Sequence, residues 1–128
     1  MKRLSFVLCA FAAISIQYCA MSAEDDGKHK LVHVVCLKLK DDATPQQIKK
    51  LEQDFRALKG KIPEIVSYSG GANISPARSK GLNHCSVLTF KSKKDLETYD
   101  AHEAHKSLVA SMKDLVVDVC VLDFWEPE

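Results

Sequence analysis

Two segments of this chain alternate their residue types with a period of two, and two longer ones repeat apolar residues every three or four positions. From Leu31 to Lys40, residues Leu31, His33, Val35, Leu37 and Leu39 fall on one face and Val32, Val34, Cys36 and Lys38 on the other, which predicts a strand with one well-buried face. His84 to Phe90 alternates in the same way, with His84, Ser86, Leu88 and Phe90 opposite Cys85, Val87 and Thr89. Ile65 to Ser69, closed by Gly70-Gly71, and Val117 to Phe124 read as two further strands. Asn73 to Asn83, with Pro76, Gly81 and several polar residues, reads as a loop.

The helices are marked as clearly. Thr44-Pro45-Gln46-Gln47 supplies an N-cap, a proline at the first helical position and a glutamine three residues past the cap. Ile48, Leu51, Phe55, Leu58 and Ile62 then form one apolar stripe that Pro63 stops. Ser92, with Asp95 three residues on, caps a second helix containing Leu96, Tyr99, Leu108, Met112 and Leu115, and the weakly helical His102 to Lys106 stretch predicts a break within it.

The resulting order is β-α-β-β-α-β, an α+β class with the ferredoxin-like split βαβ arrangement. Its sheet is expected to be four-stranded and antiparallel, with both helices on one face. The second face then needs a cover, and Val32, Val34, Cys36, Val87, Val119 and Val121 are the candidates for it. A homodimer joining two sheets through that face would bury them.

The N-terminus predicts export. Met1-Lys2-Arg3 precedes a 13-residue apolar run, Leu4 to Ile16, and small or polar residues around Ala20, Ser22 and Ala23, the order of a cleavable signal peptide. The run is shorter than the ~20 residues of a bilayer-spanning helix. Residues 1–22 are therefore expected to be a signal peptide, residues 23–30 a flexible segment, 31–125 one domain and 126–128 a tail, in a secreted or periplasmic protein. Loss of Lys2 and Arg3 leaves 16 basic against 17 acidic residues, a net charge of −1. Bulk charge thus argues against a nucleic-acid partner, and no membrane association is expected after cleavage. Three cysteines remain, Cys36, Cys85 and Cys120, an odd number that cannot all pair within one chain. Cys36 and Cys85 share a sheet face, but a simple register offsets them by two positions, so three free thiols are expected.

Several of these residues carry a resemblance. His33 to Lys40 on the first strand, Asn83-His84 opening the third, Ser92 to Tyr99, the run Tyr99-Asp100-Ala101-His102-Glu103-Ala104-His105 and the closing Leu122-Asp123-Phe124 together resemble the stress-responsive A/B barrel (Dabb) family from about Leu31 to Trp125. The resemblance implies a ferredoxin-like unit that dimerises sheet to sheet into an α/β barrel. It also implies a pocket between helices and sheet. In a plant member of the family, which closes a linear polyketide to olivetolic acid by intramolecular aldol condensation, a tyrosine and a histidine form the catalytic pair, and these match Tyr99 and His105. Two further pocket histidines match His33 and His84, and His102 belongs to the same Tyr-x-x-His-x-x-His motif. Glu103 stands where the family often has proline.

Tyr99 and His105 are six residues apart, so one continuous helix would put them on different faces. A break near His102 to Ala104 would return His105 toward Tyr99. Imidazole exchanges protons near neutral pH and a tyrosine hydroxyl can polarise a carbonyl, a pairing suited to abstracting a proton beside that carbonyl. The expected function is an exported protein with a small-molecule pocket, Tyr99 and His105 catalytic and His33, His84 and His102 ligand-binding, in cyclase- or lyase-like chemistry on a carbonyl compound. The alternatives are a non-catalytic binder of a small apolar ligand and a ligand-free dimeric stress protein. His102-x-x-His105 also has the spacing of half a zinc site, but no Cys-x-x-Cys or His-Glu-x-x-His accompanies it. No metal or cofactor is expected.

Overall fold

The computed structural model describes residues 28–127. The expected signal peptide lies outside them, as does most of the segment before Leu31. The described chain runs β1 (Leu31–Leu39), α1 (Pro45–Lys61), β2 (Ser67–Ala72), a 3-10 turn (Pro76–Ser79), β3 (His84–Phe90), α2 (Lys93–Ala101), α3 (Glu103–Met112) and β4 (Val116–Trp125). All strand pairings are antiparallel, in the spatial order β2-β3-β1-β4. This is the ferredoxin-like α+β architecture that the periodicities predict, with the second helix divided in two.

Local chemistry explains the helix ends. The Thr44 hydroxyl accepts from the Gln47 backbone N–H while the Gln47 side chain accepts from the Thr44 N–H, a reciprocal capping box. Leu51, Phe55 and Leu58 bury the apolar stripe of α1. They pack into one core with Leu31, Val35, Leu37 and Leu39 of β1, Leu88 and Phe90 of β3, Leu96 and Tyr99 of α2 and Leu108 of α3. Period-two alternation therefore aims the odd-numbered residues of β1 at the helices.

Three expectations change. The second strand extends through Gly70-Gly71 to Ala72, because those glycines pair with Ser86 and Cys85 on β3. A side chain at Gly70 would meet the Tyr68 hydroxyl at 2.7 Å and the Cys85 carbonyl at 2.9 Å, so the close approach of β2 to β3 requires glycine there. Val119 and Val121 do not belong to the outer sheet face. They oppose Leu37 and Val35 of β1 and so face the helix side, which leaves Cys120, Leu122 and Phe124 as the outward residues of β4. Finally, Cys36 lies directly opposite Cys85, with Cα atoms 4.2 Å apart, and the two form a disulfide. The expectation of three free thiols is overturned by a register two positions from the simple one. Among the described residues Cys120 is the free cysteine.

Candidate functional site

The break between α2 and α3 is made by a histidine. His102 has an extended backbone (φ −70°, ψ 137°), closes α2 with its N–H on the Tyr99 carbonyl at 3.1 Å, and opens α3 by accepting the Ala104 N–H on its Nδ1 at 3.0 Å. The capping imidazole thus turns the chain just before Glu103, the first residue of α3. As a result His105, in the first turn of α3, returns over Tyr99, and the ring centroids are 4.3 Å apart at 33°.

Tyr99 is held on its other sides by Phe90, at 5.2 Å, and by His33, at 5.6 Å and edge-on. Only 1% of the residue is exposed. The ring is clamped by these aromatic neighbours. Burial, and then the neighbouring Asp100 carboxylate, push that hydroxyl well above the ordinary phenol range. Tyr99 therefore stays protonated at neutral pH, which suits it to donate a hydrogen bond rather than to serve as a phenolate base.

Two histidines are oriented by acceptors. His105 Nδ1 lies 3.2 Å from the Asp100 carbonyl oxygen, and His33 Nδ1 lies 2.6 Å from Asp123 Oδ1. A carbonyl can only accept, so Nδ1 of His105 carries the hydrogen and the lone pair of the neutral ring sits on Nε2. The Asp123 carboxylate fixes His33 in the same sense. Asp123 is not among the site residues that the sequence predicts, although its pairing with His33 places it on the helix-facing side of β4.

These groups line one cavity of about 550 Å3. His33, Tyr99, Asp100, His105, Lys113 and Asp123 supply its polar groups, and Phe55, Val35, Leu37, Leu108, Met112 and Val116 supply apolar walls. Val119 and Val121, each about half exposed, mark its mouth along the edge strand. Of the expected site residues, the fold brings together Tyr99, His105 and His33 and leaves out two. His84 faces the helix layer beside α1, where its Nε2 meets Glu52 Oε1 at 3.1 Å and its buried Nδ1 has no partner. His102 is committed to capping α3. Neither lines the cavity. Among the described residues, no three His, Cys, Asp or Glu side chains gather as a metal site.

The displaced Tyr99 ionisation has a measurable consequence. Below about pH 10 the phenol is protonated in both folded and unfolded chains and adds no pH dependence. Above it the unfolded chain releases the proton and the native chain retains it, so this contribution to stability falls as pH rises. Urea unfolding at pH 8 and pH 11 is expected to show the difference between the protein and Tyr99→Phe moving in favour of the variant at the higher pH. A difference independent of pH would contradict the burial of this hydroxyl.

Comparison with known proteins agrees with the architecture. The profile of the stress responsive A/B barrel domain matches residues 31–126. A stress-response A/B barrel domain-containing protein of Arabidopsis thaliana is 39% identical over 82 residues, which are 64% of this chain and 30% of that protein. The chain thus spans less than a third of that relative's length. Among solved structures, the hydroxynitrile lyase from Passiflora edulis superposes with a TM-score of 0.71 at 22% identity, covering 77% of this chain and 94% of the lyase. A dimeric ferredoxin-like protein of unknown function from Thermobifida fusca superposes with a TM-score of 0.67 at 20% identity, over 77% and 92% of the two chains.

Proposed function

The chain belongs to the stress responsive A/B barrel family, and from that premise we propose that it takes a small, largely apolar carbonyl compound into the cavity and exchanges protons with it. One observation carries the reading: the Tyr99 and His105 rings meet 4.3 Å apart in the lining of a largely apolar cavity. Tyr99, kept protonated, donates to the carbonyl oxygen. Nε2 of His105 removes a proton from the carbon beside it, and the Tyr99 hydrogen bond stabilises the enolate that forms. The Asp123–His33 pair supplies a second oriented imidazole beside Tyr99. The fold shared with a hydroxynitrile lyase supports a scaffold suited to such a cavity, and the chemistry rests on the residues.

The functional unit of this proposal is a homodimer. β4 is an edge strand, yet Val117, Val119, Val121, Leu122 and Phe124 are each about half exposed, so apolar side chains face water on both of its sides. Such an edge is usually covered or charged, and a second copy of the sheet covers it. The signal-like order of residues 1–22 supports export, and a Cys36–Cys85 disulfide suits an oxidising compartment.

The test uses phenylacetone, an apolar ketone with acidic hydrogens, in D2O. The protein is expected to accelerate deuterium uptake beside the carbonyl, followed by 1H NMR, well above buffer alone. Phenylacetone that binds, shown by a raised melting temperature, without faster exchange would make the protein a binder. Neither binding nor exchange would remove the reading altogether.

A further inference from the structure

The cysteines carry a chemistry that the cavity does not use. Cys36 sits on β1, a central strand, directly opposite Cys85 on β3 and directly opposite Cys120 on β4. All three point away from the helices. We propose that they form a thiol–disulfide relay across the outer sheet face, in which the Cys36 sulfur passes between Cys85 and Cys120.

Backbone geometry makes both pairings reachable. Within a central strand, the N–H and C=O of one residue point to the same neighbour, and consecutive residues alternate. The Leu37 carbonyl accepts from Asn83 N–H, on the β3 side, so the backbone groups of Cys36 point to β4. Cys36 and Cys85 are therefore a non-hydrogen-bonded pair, in keeping with their 4.2 Å Cα separation. Cys36 and Cys120 are then a hydrogen-bonded pair, for which the separation is about 5.5 Å, well within the span that a disulfide bridges.

The row also has the direction that exchange requires. A thiolate attacks a disulfide sulfur from the side opposite the leaving sulfur, and three residues in one ladder row lie in line, with strands about 4.8 Å apart. The Cys120 thiolate forms a bond to the Cys36 sulfur, the Cys36–Cys85 bond breaks, and its electron pair leaves on the Cys85 sulfur, which takes up a proton. One disulfide and one thiol enter, and one of each leaves. No external oxidant takes part, so the step can proceed beneath a second sheet.

The transfer matters because it changes which strand is tied. With Cys85, the bond joins two strands already inside the sheet. With Cys120, it holds β4, which among the described residues pairs with β1 alone and carries Val119, Val121 and Asp123 of the cavity wall. The position of one bond thus decides whether the outer wall of the cavity is covalently anchored.

Peptide mapping after acid quench and alkylation, on protein equilibrated in a glutathione redox buffer at pH 8, tests the relay. The unaltered protein is expected to yield both Cys36–Cys85 and Cys36–Cys120 peptides. Cys85→Ser is expected to yield Cys36–Cys120 within one chain, and Cys120→Ser to yield Cys36–Cys85. The relay is wrong if Cys85→Ser leaves Cys36 and Cys120 open to alkylation, or sends Cys120 to glutathione or a second chain, in the buffer that bridges Cys120→Ser. Should either variant fail to fold, the unaltered protein decides, since the Cys36–Cys85 peptide alone, or no bridge at all, also overturns it.

Discussion

His105→Ala is expected to slow deuterium uptake by bound phenylacetone by about 10²–10⁴-fold, the usual contribution of a positioned general base, while leaving the melting temperature nearly unchanged. The two halves of the expectation have separate causes. His105 is half-buried, and its one hydrogen bond, to the Asp100 carbonyl, is exposed to solvent, so water can replace the imidazole there. Its ring packs on Tyr99, but His105 is not itself among the buried residues that fill the core with Phe90, Leu88 and Phe55. Proton abstraction loses the imidazole that packs closest on Tyr99, 4.3 Å between ring centroids against 5.6 Å for His33. A structural role predicts the reverse outcome: a loss of about 1–3 kcal/mol in urea unfolding with exchange unaltered.

The outer sheet face carries the second large effect. Leu122 lies opposite Val34, which in turn lies opposite Val87, so one apolar row crosses the centre of that face. Leu122→Asp sets a carboxylate into the row. In a two-fold symmetric pair the change appears twice, and an unpaired charge buried in an interface costs several kcal/mol. The dissociation constant is expected to rise at least about 100-fold, a change of about 2.7 kcal/mol, so that light scattering finds monomers at micromolar concentration. Because Leu122 is more than half exposed within one chain, the variant's circular dichroism should stay native. A dimer that survives Leu122→Asp would place the interface elsewhere.

Much of this was legible before any coordinates. The order of elements followed from period two in β1 and β3 and from the Thr44 and Ser92 caps, and the helix-facing histidine of β1 followed from parity alone. Register was not legible. Pairing partners across β1 depend on how the loop Asn73 to Asn83 and two helical crossovers close, so the alignment of Cys36 with Cys85 and with Cys120 had no local signature. The same ignorance put Val119 and Val121 on the wrong face and hid Asp123, whose partner His33 is ninety residues away. His84 shows a different limit. Its strand parity was right, yet Glu52 on α1 claims its ring, and only the path of α1 over the sheet reveals that. The break at His102 was foreseen, but its mechanism, an imidazole capping a helix, is a side-chain event that composition does not encode.

A crystal structure of the protein with phenylacetone bound tests the central claim most directly. The ketone is expected in the chamber between α2, α3 and the sheet, its oxygen within about 3 Å of the Tyr99 hydroxyl and its acidic carbon facing Nε2 of His105. A ketone seated elsewhere, or one in the chamber with its oxygen turned away from Tyr99, would contradict the assignment of this cavity as the functional site.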